Sequence, residues 1–266
     1  MRAAAQTEQA QKEQAGATLA AHLAELRRRI LWCLLALAAG TGICYLMREP
    51  IYAFLITPLA DAMGDEGTRR LIFTGLPEMF FTYLRIAFFA GCFLTFPFIL
   101  WQVWIFVAPA LYKNEKRVFV PYLIATPVLF FLGGALVYYL LMPLAWKFFL
   151  SFQSTAAETV LPIQLEPRVG EYLDIVMTLI FAFGLSFQLP VLLTLLGRAG
   201  LIRSATLKKG RKYAIVGVFA FAAIVTPPDV FSQIALAIPL YGLYEISVFL
   251  IARMERARLA QGGADD

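Results

Sequence analysis

Two carboxylates, Glu25 and Glu115, have the most to offer a ligand in this chain of 266 residues. Each stands among basic residues beside an apolar run. "AHLAELRRRILWCLLALAAG" sets Glu25 just ahead of Arg27, Arg28 and Arg29, with the only histidine, His22, nearby. "WQVWIFVAPALYKNEKRVFVP" sets Glu115 between Lys113 and Lys116. Glu25 has a local use, an i,i+3 or i,i+4 pair with Arg28 or Arg29 worth about 0.3–0.5 kcal/mol. Glu115 has one too: Asn114 can cap a helix whose first turn then holds the acid, for about 0.3–1 kcal/mol from the helix dipole. The other use is shared. Two carboxylates in a partly desolvated zone suit guanidinium partners, because arginine meets a carboxylate through two parallel hydrogen bonds. Phe106 and Pro109 offer an apolar wall beside them.

Catalytic chemistry finds little to work with. There is one histidine, no Cys/His set with zinc spacing, and no nucleophile elbow or phosphate-binding glycine loop. The residues call for no metal, no cofactor and no enzyme. Cys33, Cys44 and Cys92 fall in apolar runs and read as small buried hydrophobes.

These groups are carried by a membrane-like chain. Sixty per cent of the residues are hydrophobic and 15% charged, and mean hydropathy is +0.71. Apolar runs near 30–47, 79–108, 118–142, 173–197, 213–226 and 230–251 predict six transmembrane helices. Most reach the roughly 20 residues that cross a core of about 30 Å, and in lipid the backbone must bond within each segment. The fold class is an all-α integral membrane protein. The fifth helix is odd: from Tyr213 to the Pro227-Pro228 stop it spans about 21 Å, short of the core thickness. Pro97, Pro127, Pro143, Pro190 and Pro239 predict bends elsewhere, and bent, uneven helices favour a curved wall around a hollow.

Basic residues favour one side. With the N-terminus inside, the inner segments carry seventeen against five in the outer ones, Arg48, Arg69, Arg70, Lys147 and Arg168. That bias puts both termini in the cytoplasm and accounts for the net charge of +5 without nucleic acid. Residues 1–21 are predicted to be a disordered cytosolic tail with no cleaved signal, 22–253 the membrane domain, and 254–266 a second cytosolic tail. The outer stretch "EPIYAFLITPLADAM" predicts an amphipathic helix lying over the membrane, and "PLAWKFFLSFQ" has aromatics suited to an interface.

Intramembrane polar groups are few. Gln188 in "FGLSFQLPVLL" fits either an interhelical hydrogen bond or a docking point for another helix. Thr226, Asp229 and Gln233 cluster at the turn after the fifth helix, where Asp229 can cap the sixth behind Pro227 and Pro228. Glu245 is expected to pair with a basic residue. A small-molecule transporter would show repeats and paired midplane charges, and neither is visible here.

Four blocks in order, "HLAELRRRI", "QVWIFVAPALYKNEKR", "AFGLSFQLPV" and "TPPDVFSQIALAIPLYGLYE", resemble the TatC family, the multispanning subunit of the twin-arginine translocase. The likeness covers His22 to Arg253. It implies six helices shaped like a cupped hand, with a short fifth helix, in the bacterial inner membrane. It implies a receptor for signal peptides with two adjacent arginines, exporting folded proteins on the proton-motive force. Glu25 and Glu115 match the acids that contact the arginine pair, and Phe106 the aromatic beside them. Pro109, Leu111 and Tyr112 match the supporting loop, and Arg27 closes the H-L-x-E-L-R motif. The implied partners are single-helix subunits of the TatA and TatB type, twin-arginine precursors, lipid, and further copies of the chain in a mixed complex. Gln188, Thr226 and Gln233 match positions that meet partner helices. Some relatives carry Glu where this chain has Gln188, so a titratable role does not carry over.

Overall fold

The computed structural model describes residues 2–64, 70–111, 116–154, 163, 165–226 and 230–262. Side chains are described for 22–64, 70–106, 121–154, 163, 165–226, 230 and 232–258. The described residues form α1 (Arg2–Leu46), α2 (Arg48–Met63), α3 (Glu78–Leu111), α4 (Lys116–Leu136), a π-helical turn (Val137–Leu141), α5 (Met142–Leu150), α6 (Val169–Ser186), α7 (Leu189–Arg198), α8 (Ser204–Val225) and α9 (Val230–Gly262). No strand occurs among them, only isolated bridges.

Among the described residues, five helical spans are long and apolar enough to cross a membrane: His22–Leu46, Glu78–Phe106, Pro121–Leu150, Val169–Arg198 and Ser232–Arg258. Their outer surfaces are greasy, as contact with acyl chains requires; Leu35, Ile43, Leu94, Val128 and Phe249 are all exposed. The helix expected over 213–226 is the apolar end of the longer α8, 22 residues or about 33 Å. Lys208, Lys209, Arg211 and Lys212 fill its early turns, so the element is of ordinary length and only its apolar part is short. The fourth run is divided too. Pro190 cannot donate to Ser186, and the chain turns at Phe187–Gln188 between α6 and α7.

Small residues set the closest crossings, as expected where helices pack in lipid. A Cβ on Gly91 of α3 would lie 2.7 Å from the Thr41 backbone nitrogen of α1. A Cβ on Gly133 of α4 would lie 2.7 Å from the Phe183 carbonyl oxygen of α6. Next to that second crossing Phe130 and Phe183 are fully buried.

The largest buried cluster packs α2 against the π-helical turn, α5 and α6. α2 lacks the two-faced character expected of it, with Phe54 exposed, but Leu55 and Leu59 are buried in the cluster that holds Val137, Trp146, Tyr172 and Leu173. Trp146 departs from its expected interfacial place; it is buried, with its ring 5.3 Å from that of Tyr172. The starts of α3 and α6 are also joined by charge. Arg168 meets Glu78 at 3.4 Å and Glu171 at 2.7 Å, and Arg85 meets Asp174 at 2.9 Å.

Proline explains how α2 is held. Pro58 lies inside the helix and has no N–H to give Phe54, four residues back. The hydroxyl of Tyr138, on the π-helical turn, donates to that carbonyl at 2.7 Å. The Tyr172 hydroxyl donates to the next carbonyl, Leu55, at 2.9 Å. Tyr138→Phe is therefore expected to cost about 1 kcal/mol, the usual net worth of a part-buried hydrogen bond. In a Pro58→Ala background the helix supplies its own N–H, and the same change should cost well under half as much. Thermal unfolding of the four proteins of that cycle in detergent measures the difference; equal costs in both backgrounds would break the link.

Candidate functional site

His22, Glu25 and Arg29 are spaced three and four apart, so they share one face of α1. That face meets the end of α3 at Gln102 and Phe106. The His22 ring stacks on Phe106, with centroids 4.3 Å apart and planes 20° from parallel. Arg29 is the hub. Its Nε and Nη2 donate to Oε1 of Glu25 at 3.1 and 2.5 Å, and its Nη1 donates to Oε1 of Gln102 at 3.1 Å. Of the two local partners open to Glu25, the structure thus selects Arg29 over Arg28. Arg27 and Arg28 are exposed, whereas the Arg29 side chain is 14% exposed.

This arrangement leaves Glu25 usable. Its side chain is 35% exposed, and both Arg29 contacts fall on the same oxygen. The other oxygen, Oε2, lies outside the pair and can accept hydrogen bonds from a further cation. A stacked aromatic wall beside a half-exposed carboxylate suits a planar guanidinium, which combines charge, paired donors and a flat face. Pro109 and Leu111 fall on the last turns of α3, where only the backbone is described. Tyr112 and Glu115 lie outside the described residues.

The polar groups expected to meet other helices are separated. Gln188 stands at the α6–α7 break, and its Nε2 donates to Thr126 of α4 at 3.0 Å and to Gly184 at 3.4 Å. Oε1 of Gln188 is buried with no hydrogen-bond partner among the described residues. Thr226 is buried and donates to Ala222, tying off α8 at 2.8 Å. Gln233 of α9 donates to Phe219 of α8 at 3.2 Å. Pro227, Pro228 and Asp229 lie outside the described residues. Glu245 pairs with Arg211 at 2.7 Å.

Residues 21–239 match the model of the family described as Sec-independent protein translocase protein (TatC). This chain belongs to the TatC family. It is 46% identical over 250 residues to the Sec-independent protein translocase protein TatC of Magnetococcus marinus, covering 94% of this chain and 89% of that one. It is 41% identical to the TatC of Escherichia coli K12, covering 87% and 86%. A crystal structure described as the twin arginine translocase receptor TatC superposes with a TM-score of 0.75 at 36% identity, covering 87% of this chain and 98% of that one. As a TatC it is an inner-membrane subunit of a protein translocase, and its work is transport rather than catalysis.

Two TatC-site features escape a motif reading. Gln102 is not an ionic residue, yet it holds Arg29. His22 and Phe106 are 84 positions apart, yet they stack. The signal available was spacing: Gln102 and Phe106 stand four apart, as do Glu25 and Arg29.

The Gln188 amide gives a direct expectation for this TatC. Gln188→Leu removes its two donations at the α6–α7 break and should lower stability by about 0.6–1 kcal/mol, the usual scale for polar contacts within membranes. Detergent unfolding of the purified chain reads the change. An increase in stability would mean the amide was the poorer occupant.

Proposed function

We propose that this TatC-family chain is the receptor for twin-arginine signal peptides and the core of a Sec-independent translocase driven by the proton-motive force. The observation that carries the reading is the half-exposed Glu25, fixed by Arg29 and flanked by the His22–Phe106 stack. In this reading Glu25 and Glu115 each accept one arginine of the incoming pair. Phe106, Pro109, Leu111 and Tyr112 supply the apolar side of the site, and Arg27 keeps the rim of α1 at the membrane surface. The arginines bring paired donors that lysine lacks.

The finer architecture follows the same reading. α8 joins the other five as the fifth of six spans in chain order, its short apolar end thinning the bilayer beside it. Both termini are cytosolic, and the helices form a cupped hand. Single-helix subunits of the TatA and TatB type dock near Thr226 and Gln233, and the open Oε1 of Gln188 is the acceptor offered to a partner helix. Several copies of the chain assemble with them.

Retention on immobilised peptides tests the receptor. Detergent-solubilised chain should bind a peptide with adjacent arginines and fail to bind its Lys-Lys counterpart, although the two carry the same charge. Equal retention would reduce the site to a general electrostatic surface and remove the support for a twin-arginine receptor.

A further inference from the structure

The start of α8 and the end of α9, cytosolic on the reading proposed above, carry a second charged feature, well apart from Glu25 in the sequence. Glu245, Phe249, Arg253 and Arg256 recur at helical spacing along one face of α9, and Lys208 and Arg211 of α8 face them across a groove of about 300 Å³. Its floor includes Val248, which is 2% exposed, while Phe249 on the lip is 65% exposed.

The acids nearby are committed elsewhere. Glu245 is held by Arg211 and by the Tyr241 hydroxyl at 2.8 Å. Glu255 accepts the backbone N–H of Ser204 at 2.9 Å and also the Ser204 hydroxyl. Lys208, Arg253 and Arg256 are exposed and make no ion pair among the described residues. The residues lining the groove therefore carry an excess of three positive charges, and Glu255, which still attracts Lys208, stands outside the lining. Its position matters as much as its sign. Arg253 lies about 6 Å along the axis from Phe249, and the exposed apolar faces of α8 and α9 begin on the Phe249 side. A ligand filling the groove meets cations at one end and open hydrocarbon at the other.

We infer that this groove is a binding site for an anionic phospholipid. The phosphate sits among Lys208, Arg253 and Arg256, and an acyl chain runs along Phe249 into the bilayer. Basic pockets between helices on the cytoplasmic side are suited to such headgroups. A free phosphate would satisfy the cations and leave the exposed Phe249 lip unused.

The test uses the full chain in detergent, with phosphatidylglycerol, phosphatidylcholine and inorganic phosphate as probes and retained lipid read by native mass spectrometry. Phosphatidylglycerol should bind in preference to phosphatidylcholine, and millimolar phosphate should not displace it. Each basic residue near an anionic lipid strengthens binding about fivefold, so Arg253→Gln/Arg256→Gln should weaken it roughly 25-fold. Lys209→Gln/Lys212→Gln, which removes equal charge outside the groove, should leave it unchanged. Should the arginine pair prove needed for folding, Lys208→Gln at the exposed rim should still weaken binding about fivefold. Equal loss in the Lys209/Lys212 variant, absence of a headgroup preference, or displacement by phosphate would each overturn the proposal.

Discussion

A Glu115→Lys protein is expected to insert and fold normally yet bind a twin-arginine peptide more than about 100-fold less tightly. On the proposed reading, the change removes one of two carboxylates and puts an ammonium where a guanidinium docks. Losing one partner of a desolvated, hydrogen-bonded charge pair costs about 2–5 kcal/mol, and about 2.8 kcal/mol is already 100-fold. Glu25→Ala should cost less, about tenfold, because Glu115 remains. It should not be silent: it frees Arg29, a part-buried cation that Glu25 now holds, to face the incoming arginines. Peptide titration of both variants, beside thermal unfolding to confirm the fold, measures the pair. Wild-type affinity in Glu115→Lys would move the receptor site elsewhere on the molecule.

The second large effect comes from packing. Gly91→Leu should destabilise the chain by about 3 kcal/mol and weaken peptide binding with it. Even its Cβ would lie 2.7 Å from Thr41 N and 2.8 Å from Thr41 Cα. Those are backbone atoms, so no rotamer relieves the clash, and α1 must move away from α3. Overpacking of this kind costs about 1–3 kcal/mol, sometimes more. The same two helices carry Glu25, Arg29, Gln102 and Phe106, so their separation opens the site. Gly42→Ala, on α1 with nothing within 4 Å of its Cβ, should change neither property. An unaltered unfolding temperature for Gly91→Leu would mean the α1–α3 contact contributes nothing to the site.

Much of this was legible in the sequence because lipid simplifies the code. Apolar runs located five of the six expected spans, and the break before Pro190 fell near its expected place. Helix extent was harder. α8 begins nine residues ahead of Tyr213, since lysine and arginine are good helix formers in water and the hydropathy pattern marks only the part in lipid. Trp146 looked interfacial because tryptophan usually is; only the packing of α2 over α5 and α6 buries it. The pairing of Tyr138 and Tyr172 with the carbonyls around Pro58 depends on contacts more than 80 residues apart. No local pattern reports such contacts. At the site, Glu25 was readable from its neighbours, while the donation of its partner Arg29 to Gln102 required the close α1–α3 crossing at Gly91.

Site-directed photo-crosslinking tests the receptor most directly. A twin-arginine precursor carrying a photoreactive residue beside its arginine pair is mixed with the purified chain, and the adducts are mapped by mass spectrometry. The account predicts adducts on α1 around Glu25 and on the segment from Phe106 to Glu115, and their loss when the pair is Lys-Lys. Adducts confined to α8 and α9, or unchanged with Lys-Lys, would contradict it.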